Sequence, residues 1–208
     1  ISPNSLKDPS KVFIGGWAFG PVRQSVYTMY EAGDKRRDGS INKWATGTYA
    51  PRFQDTGLFL RKYAARQGYN PPPGVVDLNF SNNLRIFRYA ETLLNYVELV
   101  KMLGQSEVQG ISAQSCLDNI RSRAGMGSIP ATSDNIKLER HREFLGEGMR
   151  FWDLVRWGDA PSVLTENDPL HNSVRTFEDW MKYIPIPSTE IEKTKGTEFE
   201  LKQNGNWQ

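Results

Sequence analysis

The sequence has 208 residues and a formal net charge of +2, because 26 lysines and arginines nearly balance 24 aspartates and glutamates. This balance and the lack of long basic runs argue against an electrostatic nucleic-acid-binding protein. No apolar stretch approaches the roughly 20 residues that span a bilayer, and the single cysteine, Cys116, excludes an internal disulfide bond.

Residues 1–83 show little sustained hydrophobic periodicity, and pairs of glycine and proline interrupt each short run. We predict long ordered loops with short strands. Residues 12–19 are predicted to form one strand and its turn, and residues 25–30 either a strand or a helical turn. The charge run at 34–38 is, by itself, typical of a solvated turn. Three prolines at 71–73 force an extended spacer before the helices.

The first helix is predicted to begin at Leu84 and to stop at Gly104, because apolar residues recur there at three- and four-residue steps. A second helix is predicted from its N-cap, Ser112, to Gly125. Cys116 lies on the apolar face of this helix, where we interpret it as a small buried thiol rather than a nucleophile. The two helices are expected to form an antiparallel hairpin.

Residues 138–157, drawn as a helix, carry a charged strip between two apolar stripes. The strip comprises Glu139, Arg140, Glu143, Glu147 and Arg150. Since a solvated helix has its charges opposite a single apolar stripe, this pattern indicates a helix packed on more than one side with partly enclosed charges. We predict one long helix, capped by Ser133 or Asp134 and ended by Gly158.

Three interpretations of the charged strip compete. Its carboxylates, one turn apart, are a possible acid and base for glycoside hydrolysis. A di-metal site would need Glu-x-x-His, but the residue three after Glu139 is Arg142. The third interpretation is an internal ion-pair network that includes Asp153. In it Glu139 and Glu143 are bonded to Arg142, Arg150 or arginines of neighbouring helices, for which Arg121 and Arg123 are candidates. We favour the network, because interleaved arginines hold the carboxylates ionised and leave no proton donor.

If that network is enclosed, replacing Glu143 or Arg150 with alanine is expected to destabilise the protein by about 3 kcal/mol, because the partner charge is left stranded.

Four motifs occur together in this chain. Residues 139–157 carry ER-x-x-E-x-x-x-EG-x-R-x-x-DL-x-RW, and residues 88–94 carry R-Y-A-E-x-L-L. Residues 34–37 are similar to a D-P-R-R element in which Lys35 replaces proline, and residues 185–190 carry P-I-P-x-x-E. Together these motifs resemble the SusD/RagB family, which comprises glycan- or nutrient-binding lipoproteins of the Bacteroidetes outer membrane. The resemblance extends from Asp34 to Trp207.

The resemblance implies a mainly α fold, with a tetratricopeptide-like helical hairpin and a long packed helix among extensive ordered loops and short strands. Residues 57–63 are then expected to include an extended strand. The chain is expected to divide into a loop-rich segment at 1–83, a helical core at 84–160 and a C-terminal tail at 161–208. Together these segments are expected to form the C-terminal part of a longer protein.

The function that the resemblance implies is non-enzymatic binding of a glycan or another nutrient at the cell surface. The expected partners are a SusC-like TonB-dependent transporter and the N-terminal half of the same protein, with a lipid anchor on a cysteine upstream of Ile1. We expect no cofactor and no metal. The alternatives are a tetratricopeptide-like protein-interaction module and a glycoside hydrolase that uses the helix carboxylates.

Glycans are recognised by flat aromatic faces on loops, which directs attention to residues 1–83. The candidate ligand-binding residues are Trp17, Trp44, Tyr27, Tyr30 and Tyr49. We favour Trp17 and Trp44, because an exposed indole among glycines has few structural reasons to be there. For each of these side chains, packing against another part of the protein is the alternative. The lone His171 is interpreted as a surface hydrogen-bonding residue.

Overall fold

The computed structural model describes residues 2–69, 80–168 and 173–207. The triple proline at 71–73 and His171 lie outside these residues, so the interpretations of both stay predictions. The chain divides into two compact units, Ile1–Gly148 and Met149–Gln208. Most regular structure is helical, which confirms the mainly α class. Among the described residues, no helix combines the length and the apolar character needed to cross a membrane.

In the described part of the first unit, 2–69 and 80–148, there are five helices and one small sheet. In chain order its elements are α1 (Gln24–Thr28), α2 (Lys35–Ser40), β1 (Ile41–Lys43), β2 (Leu58–Leu60), α3 (Tyr89–Lys101), α4 (Ala113–Arg123) and α5 (Ser133–Glu143). Residues 25–30, for which a strand and a helical turn were both open, include most of α1. Residues 12–19 do not form the predicted strand, because only Phe13 pairs, in an isolated bridge to Arg66.

The predicted helical hairpin is present as α3 and α4, and α3 also packs against α5. Leu94 and Val97 of α3 and Leu117 of α4 are fully buried between these helices. The Ser112 hydroxyl caps α4 by accepting a hydrogen bond from the Ser115 amide. Helix α3 begins five residues later than predicted, because Arg88 has an extended backbone.

The single long helix predicted through residues 138–157 is instead two helices, α5 and α6 (Met149–Trp157). Gly146 and Gly148 interrupt it with φ angles of 78° and 80°, in the left-handed region that glycine adopts without steric cost. The N-cap of α5 is Thr132, one residue before the predicted candidates. The charged strip is therefore divided between α5, the glycine turn and α6.

The small sheet is antiparallel, with Ile41 opposite Leu60. Its first strand, β1, follows α2 directly, since α2 ends at Ser40 and β1 begins at the next residue. Ile41 and Leu58 are buried in one cluster with Val22 and Tyr30. This cluster fixes the loop-rich segment to the helices, and strand β2 lies within the expected extended segment at 57–63.

The second unit contains α6, α7 (Ala160–Leu164), β3 (Glu166–Asp168) paired with β4 (Ser173–Arg175), a short 3₁₀ helix (Asp179–Lys182) and α8 (Ser188–Thr194). Side chains near the C-terminus donate hydrogen bonds to the backbone of residues 183–186. The Trp207 indole donates to the Tyr183 carbonyl at 2.8 Å, and the Gln203 amide donates to the Ile186 carbonyl at 2.9 Å.

The glycine turn after α5 yields a matched pair of variants. A Cβ at Gly146 would lie 2.9 Å from Leu60 Cδ2, whereas a Cβ at Gly148 would have nothing within 4 Å. Gly148→Ala is expected to lower the free energy of unfolding by about 1–2 kcal/mol, because alanine is strained in the left-handed conformation. Gly146→Ala is expected to cost about 2–4 kcal/mol, because overpacking adds to that strain. Urea unfolding of both variants measures the difference, and equal losses would contradict the packing explanation.

Candidate functional site

The most deeply buried carboxylate belongs to Glu139 of α5, which has 0% exposure. Its two oxygens have different partners: Oε1 accepts from Arg36 Nη1 at 2.6 Å and Oε2 from Arg121 Nη1 at 3.0 Å. Arg36 comes from α2 and Arg121 from α4. A buried charge is tolerated only when it is paired and hydrogen-bonded. This carboxylate therefore ties α5 to the preceding helix α4 and to α2, which is about a hundred residues away in the sequence.

Glu143, one turn further along α5, is paired with three arginines. Arg123 Nη2 and Arg88 Nη1 lie 2.5 Å and 2.8 Å from Oε1, and Arg36 Nη1 lies 3.3 Å from Oε2. Burial by itself would raise the pKa of Glu143, but the Arg88 hydrogen bond and the nearby guanidinium charges outweigh it and hold the pKa below its ordinary value. Glu143 is therefore held as an anion.

Glu147, in the glycine turn, is paired with Lys62 and again with Arg88. Lys62 Nζ lies 2.6 Å from Oε1, and Arg88 Nε lies 2.7 Å from Oε2. Lys62 also donates to the Glu143 carbonyl at 2.7 Å. Burial lowers the pKa of Lys62, and the hydrogen bond to Glu147 offsets only part of that effect. Arg88 thus bridges two carboxylates of the former strip.

The charge run at 34–38 is a structural element rather than the solvated turn that its composition suggests. Asp34 caps α2 by accepting from the Arg36 amide at 2.9 Å, and its Oδ2 also accepts from Arg36 Nη2 at 2.7 Å. Burial tends to raise the pKa of Asp34, but the bonds from Arg36 outweigh it and hold the pKa low. Asp34 and Arg36 are both buried, which leaves Lys35 and Asp38 as the exposed charges of the run.

The remaining members of the predicted network are placed separately. Arg140 is buried and donates to Asn95 Oδ1 at 2.8 Å, and its guanidinium also lies over the Phe144 ring. Arg150 and Asp153 belong to the second unit. There Arg156 Nη2 lies 2.8 Å from Asp153 Oδ1, and burial lowers the pKa of Arg150. Within the first unit, the structure therefore brings together Glu139, Glu143 and Glu147.

Sequence periodicity missed three cations that complete this cluster, namely Arg36, Lys62 and Arg88. Each lies in a segment that carries the family resemblance: D-x-R-R, the segment at 57–63 and R-Y-A-E. Their joint occurrence was the available signal. Arg121 and Arg123 meet the acids as predicted. Among the described residues, no group of His, Cys, Asp and Glu is arranged to hold a metal ion.

Trp17 lies in a loop that is held tightly against the N-terminal residues. The Gly16 amide donates to the Pro3 carbonyl and the Ala18 amide to the Ser2 carbonyl, both at 3.0 Å. A Cβ at Gly16 would lie 2.9 Å from the Ser2 carbonyl oxygen, so the close approach requires glycine. The loop is therefore fixed by backbone contacts while the Trp17 indole is 47% exposed.

Trp17 forms an exposed cluster with Phe19 and Arg52, which we call the aromatic ledge. The two rings meet edge to face with centroids 5.8 Å apart. Arg52 Nη1 donates to the Trp17 carbonyl at 2.7 Å, and its guanidinium lies 5.9 Å from the Phe19 centroid. The ledge presents apolar ring surface beside a hydrogen-bond donor, which is the combination that a sugar ring and its hydroxyls need.

Tyr27 and Trp44 line a separate cavity of about 510 Å³, together with Asn42, Lys43 and Arg61. Trp44 is half-buried and meets Phe13 edge to face. Its indole Nε1–H is buried without an acceptor among the described residues. The expectation of an exposed indole therefore agrees with the exposed fraction of Trp17, whereas Trp44 is half-buried.

Tyr30 and Tyr49 are held by internal contacts. Tyr30 is 5% exposed and donates from its hydroxyl to the Arg142 carbonyl at 2.9 Å, which leaves no ring face for a ligand. The Tyr49 hydroxyl lies 2.5 Å from Asp55 Oδ2, and partial burial together with this hydrogen bond raises its pKa to about 12. Both rings contribute to packing of the loop-rich segment.

Comparison with known proteins gives a consistent result. A model of the SusD family matches residues 16–207. A SusD-like protein from Formosa agariphila is 30% identical over 149 residues, which cover 65% of this chain and 27% of the relative. The chain therefore spans about a quarter of the length of that relative.

Solved structures include three informative neighbours. Surface glycan-binding protein A from Bacteroides fluxus is 70% identical with a TM-score of 0.95, over 100% of this chain and 44% of that one. The protein of the same name from Bacteroides thetaiotaomicron, in complex with laminarihexaose, is 39% identical with a TM-score of 0.87, over 98% and 45% of the two chains. A laminarin-binding SusD-like protein is 31% identical with a TM-score of 0.74, over 99% and 40%.

The buried Glu139 carboxylate predicts a large loss of stability on truncation. Glu139→Ala is expected to destabilise the protein by about 3–5 kcal/mol, because Arg36 and Arg121 each lose a carboxylate partner inside the protein. Glu190 provides the control, since its pair with Lys193 is exposed and its loss is expected to cost no more than about 0.5 kcal/mol. Urea unfolding measures both, and comparable losses would contradict a buried ion network.

Glu143 predicts a pH dependence. Because its folded-state pKa lies below the ordinary value of 4.5, the ionised carboxylate contributes stability that is fully present above the unfolded-state pKa. That contribution is lost as the pH falls through the lower folded-state pKa. Glu143→Gln is therefore expected to reduce the loss of stability on acidification below about pH 4.5. Urea midpoints across this range test it, with Glu190→Gln as control, and an unchanged acid slope would contradict the assignment.

Proposed function

The chain belongs to the SusD family, and from this premise we propose that it is part of a non-enzymatic protein that captures a glycan at the outer surface of the cell. The membership rests on the family model, which matches nearly the whole chain. The observation that carries the glycan-binding proposal is the aromatic ledge. Its exposed indole stands on a loop held by backbone contacts, so little conformational entropy is lost when a ligand binds.

We propose a laminarin-type oligosaccharide as the ligand. Two neighbours with more than 30% identity support this choice, one solved with laminarihexaose and one described as laminarin-binding. Such a ligand is neutral, so stacking on rings and exchange of hydroxyl hydrogen bonds with water supply the affinity. We expect weak binding, on the order of micromolar to millimolar.

The ledge is the proposed primary contact, with Trp17 as the stacking surface and Arg52 beside it. The cavity lined by Tyr27 and Trp44 is the second proposed contact. It combines ring surface with the amide of Asn42 and the cations of Lys43 and Arg61, which suit sugar hydroxyls. Tyr30 and Tyr49 are not included, because their hydroxyls and ring surfaces are used within the protein.

A binding role rather than glycoside hydrolysis is supported by the state of the helix carboxylates. Hydrolysis requires one carboxyl group that is protonated and able to donate. Glu139, Glu143 and Glu147 are each paired with at least two cations. The pKa of Glu143 is held below its ordinary value by these cations, so the paired cluster supports a structural role.

The delivery step and the location are part of the same proposal. By its family, the protein is proposed to be anchored in the outer membrane through a lipid on an upstream cysteine and to pass its ligand to a SusC-like TonB-dependent transporter. A protein-interaction role for the helical hairpin is the second candidate. The observation that favours it is a groove of about 620 Å³ beside α3 and α4, lined by Tyr89, Tyr96 and Ile111 among others.

Trp17→Ala in the full-length protein is expected to weaken laminarihexaose binding at least about fivefold, because stacked aromatic contacts contribute on the order of 1 kcal/mol or more each. The melting temperature is expected to stay nearly unchanged, since the indole is half exposed and its loop is held by backbone contacts. Isothermal titration calorimetry measures the affinity.

Tyr69→Ala is the matched control, because Tyr69 has a similar exposed fraction, 50%, and lies outside the ledge. Trp44→Ala is expected to lower both affinity and melting temperature, because that indole is half-buried against Phe13. Native affinity in the Trp17 variant would refute the ledge as the site. Loss of laminarihexaose hydrolysis in a Glu143 variant would instead support the enzyme alternative.

A further inference from the structure

A cavity of about 390 Å³ in the first unit is strongly basic, and we call it the basic pocket. Eight lysine and arginine side chains line it, against two carboxylates. The carboxylates are Glu143 and Glu147, which are less exposed than Lys35, Arg66 and Arg85. We call the two carboxylates the floor of the pocket and the exposed cations its mouth. Four cations, Lys35, Arg61, Arg66 and Arg85, line it without belonging to the ion network below. The pocket thus has an excess of positive charge at its mouth.

The carboxylates of the floor do not neutralise that excess. Glu143 is already paired with Arg36, Arg88 and Arg123, and Glu147 with Lys62 and Arg88. Within the described ranges, 2–69, 80–168 and 173–207, no carboxylate forms an ion pair with any of the four additional cations. Arg61 donates to the Asp38 carbonyl at 3.2 Å, and Arg61 and Arg66 lie near the Phe13 ring. These contacts, to a carbonyl oxygen and to a ring, position the guanidinium groups without neutralising their charge.

Clustered like charges at the mouth of a pocket repel one another and attract an anion. Guanidinium groups are suited to a carboxylate in particular, because two parallel N–H donors match its two oxygens. The neutral oligosaccharide proposed above offers no such group. The pocket therefore indicates a ligand other than the oligosaccharide, and one that carries a negative charge.

The surface next to the pocket indicates what carries that anion. Arg85 and Arg88 face the pocket, whereas their neighbours Leu84, Ile86 and Phe87 are 76%, 72% and 83% exposed. Tyr89 and Leu99 of α3, and Leu103 just beyond its end, are further exposed apolar side chains. An exposed apolar patch beside a polar site is typical of a protein interface. A polar sugar would gain little from contact with this apolar patch, because its hydroxyl groups would lose hydrogen bonds to water there.

We propose that the basic pocket receives an aspartate or glutamate side chain from the part of the same protein that lies outside these 208 residues. The chain spans 44% of the length of its Bacteroides fluxus neighbour, so that a further large part of the polypeptide is available to cover the patch. Apolar side chains of that part lie on Leu84, Ile86 and Phe87, and its carboxylate lies among Arg85, Arg66 and Lys35. The acid fixes the register of the interface, because only one position along the apolar surface also places it in the pocket.

Zero-length carbodiimide cross-linking of the full-length protein tests this assignment. The reagent joins a carboxylate to a lysine amine only when the two are in contact, and Lys35 supplies the amine. We expect a peptide linking Lys35 to an aspartate or glutamate outside residues 1–208, identified by mass spectrometry. Arg85→Gln is expected to reduce its yield several-fold, and Lys35→Arg to abolish it. Lys11, an exposed lysine of the same unit, provides the reference and should form no such link.

A second measurement covers the case in which cross-linking is inefficient. Arg85→Glu in the full-length protein is expected to lower the melting temperature by at least about 2–4 °C, because it places a like charge against the bound acid. Arg175→Glu, an exposed charge reversal in the second unit, should have almost no effect. Arg85→Gln should bind laminarihexaose with native affinity, which separates this inference from the glycan proposal.

Links from Lys35 only to carboxylates within residues 1–208 would overturn the proposal. An unchanged melting temperature of Arg85→Glu would do so as well. A third contrary result would be binding of free sulfate or a uronate oligosaccharide that Arg85→Gln abolishes, because the pocket would then be open to a soluble anion.

Discussion

The constraint on which the structure depends is the burial of the Glu139 and Glu143 carboxylates on α5. An enclosed carboxylate without a partner costs several kcal/mol even after relaxation, so the fold must deliver cations to this helix. It does so from three places: Arg36 on α2, Arg88 at the start of α3, and Arg121 with Arg123 on α4. Elements that lie up to about a hundred residues from α5 in the sequence are thereby tied to one face of this helix.

The same constraint positions the loops that carry the proposed ligand contacts. Arg36 fixes α2, which leads directly into β1, and the Trp44 amide that follows β1 donates to the Gly57 carbonyl at 2.9 Å. The Ile14 amide donates to the Ala65 carbonyl at 3.1 Å, beyond the end of β2, and so connects the Trp17 loop to the same small sheet. The side chains proposed to stack on a ligand are thus positioned by a buried polar network that lies some distance from them.

Arginine has two uses in this unit. In the interior, Arg36 and Arg121 pair with the two oxygens of the Glu139 carboxylate. At the surface, Arg66 and Arg85 line the basic pocket beside Glu143 and Glu147, and the pocket keeps an excess of positive charge that these two carboxylates do not cancel. Because guanidinium groups stay charged in both settings, a structural network can pass continuously into an interaction surface. The apolar side chains beside Arg85 then extend that surface.

The sequence by itself determined the helices α3 and α4, the Ser112 cap, the family and the buried, paired character of the acids near residue 140. These follow from periodicity and motifs, which are local properties of the chain. Tertiary structure decided the rest. The left-handed turn at Gly146 divides a segment whose periodicity is continuous, and the pairing of Glu139 with Arg36 joins residues that no local pattern relates. Trp17 and Tyr30 lie in similar loop-like sequence, yet one is exposed and the other buried, because exposure depends on what the folded chain places against each ring.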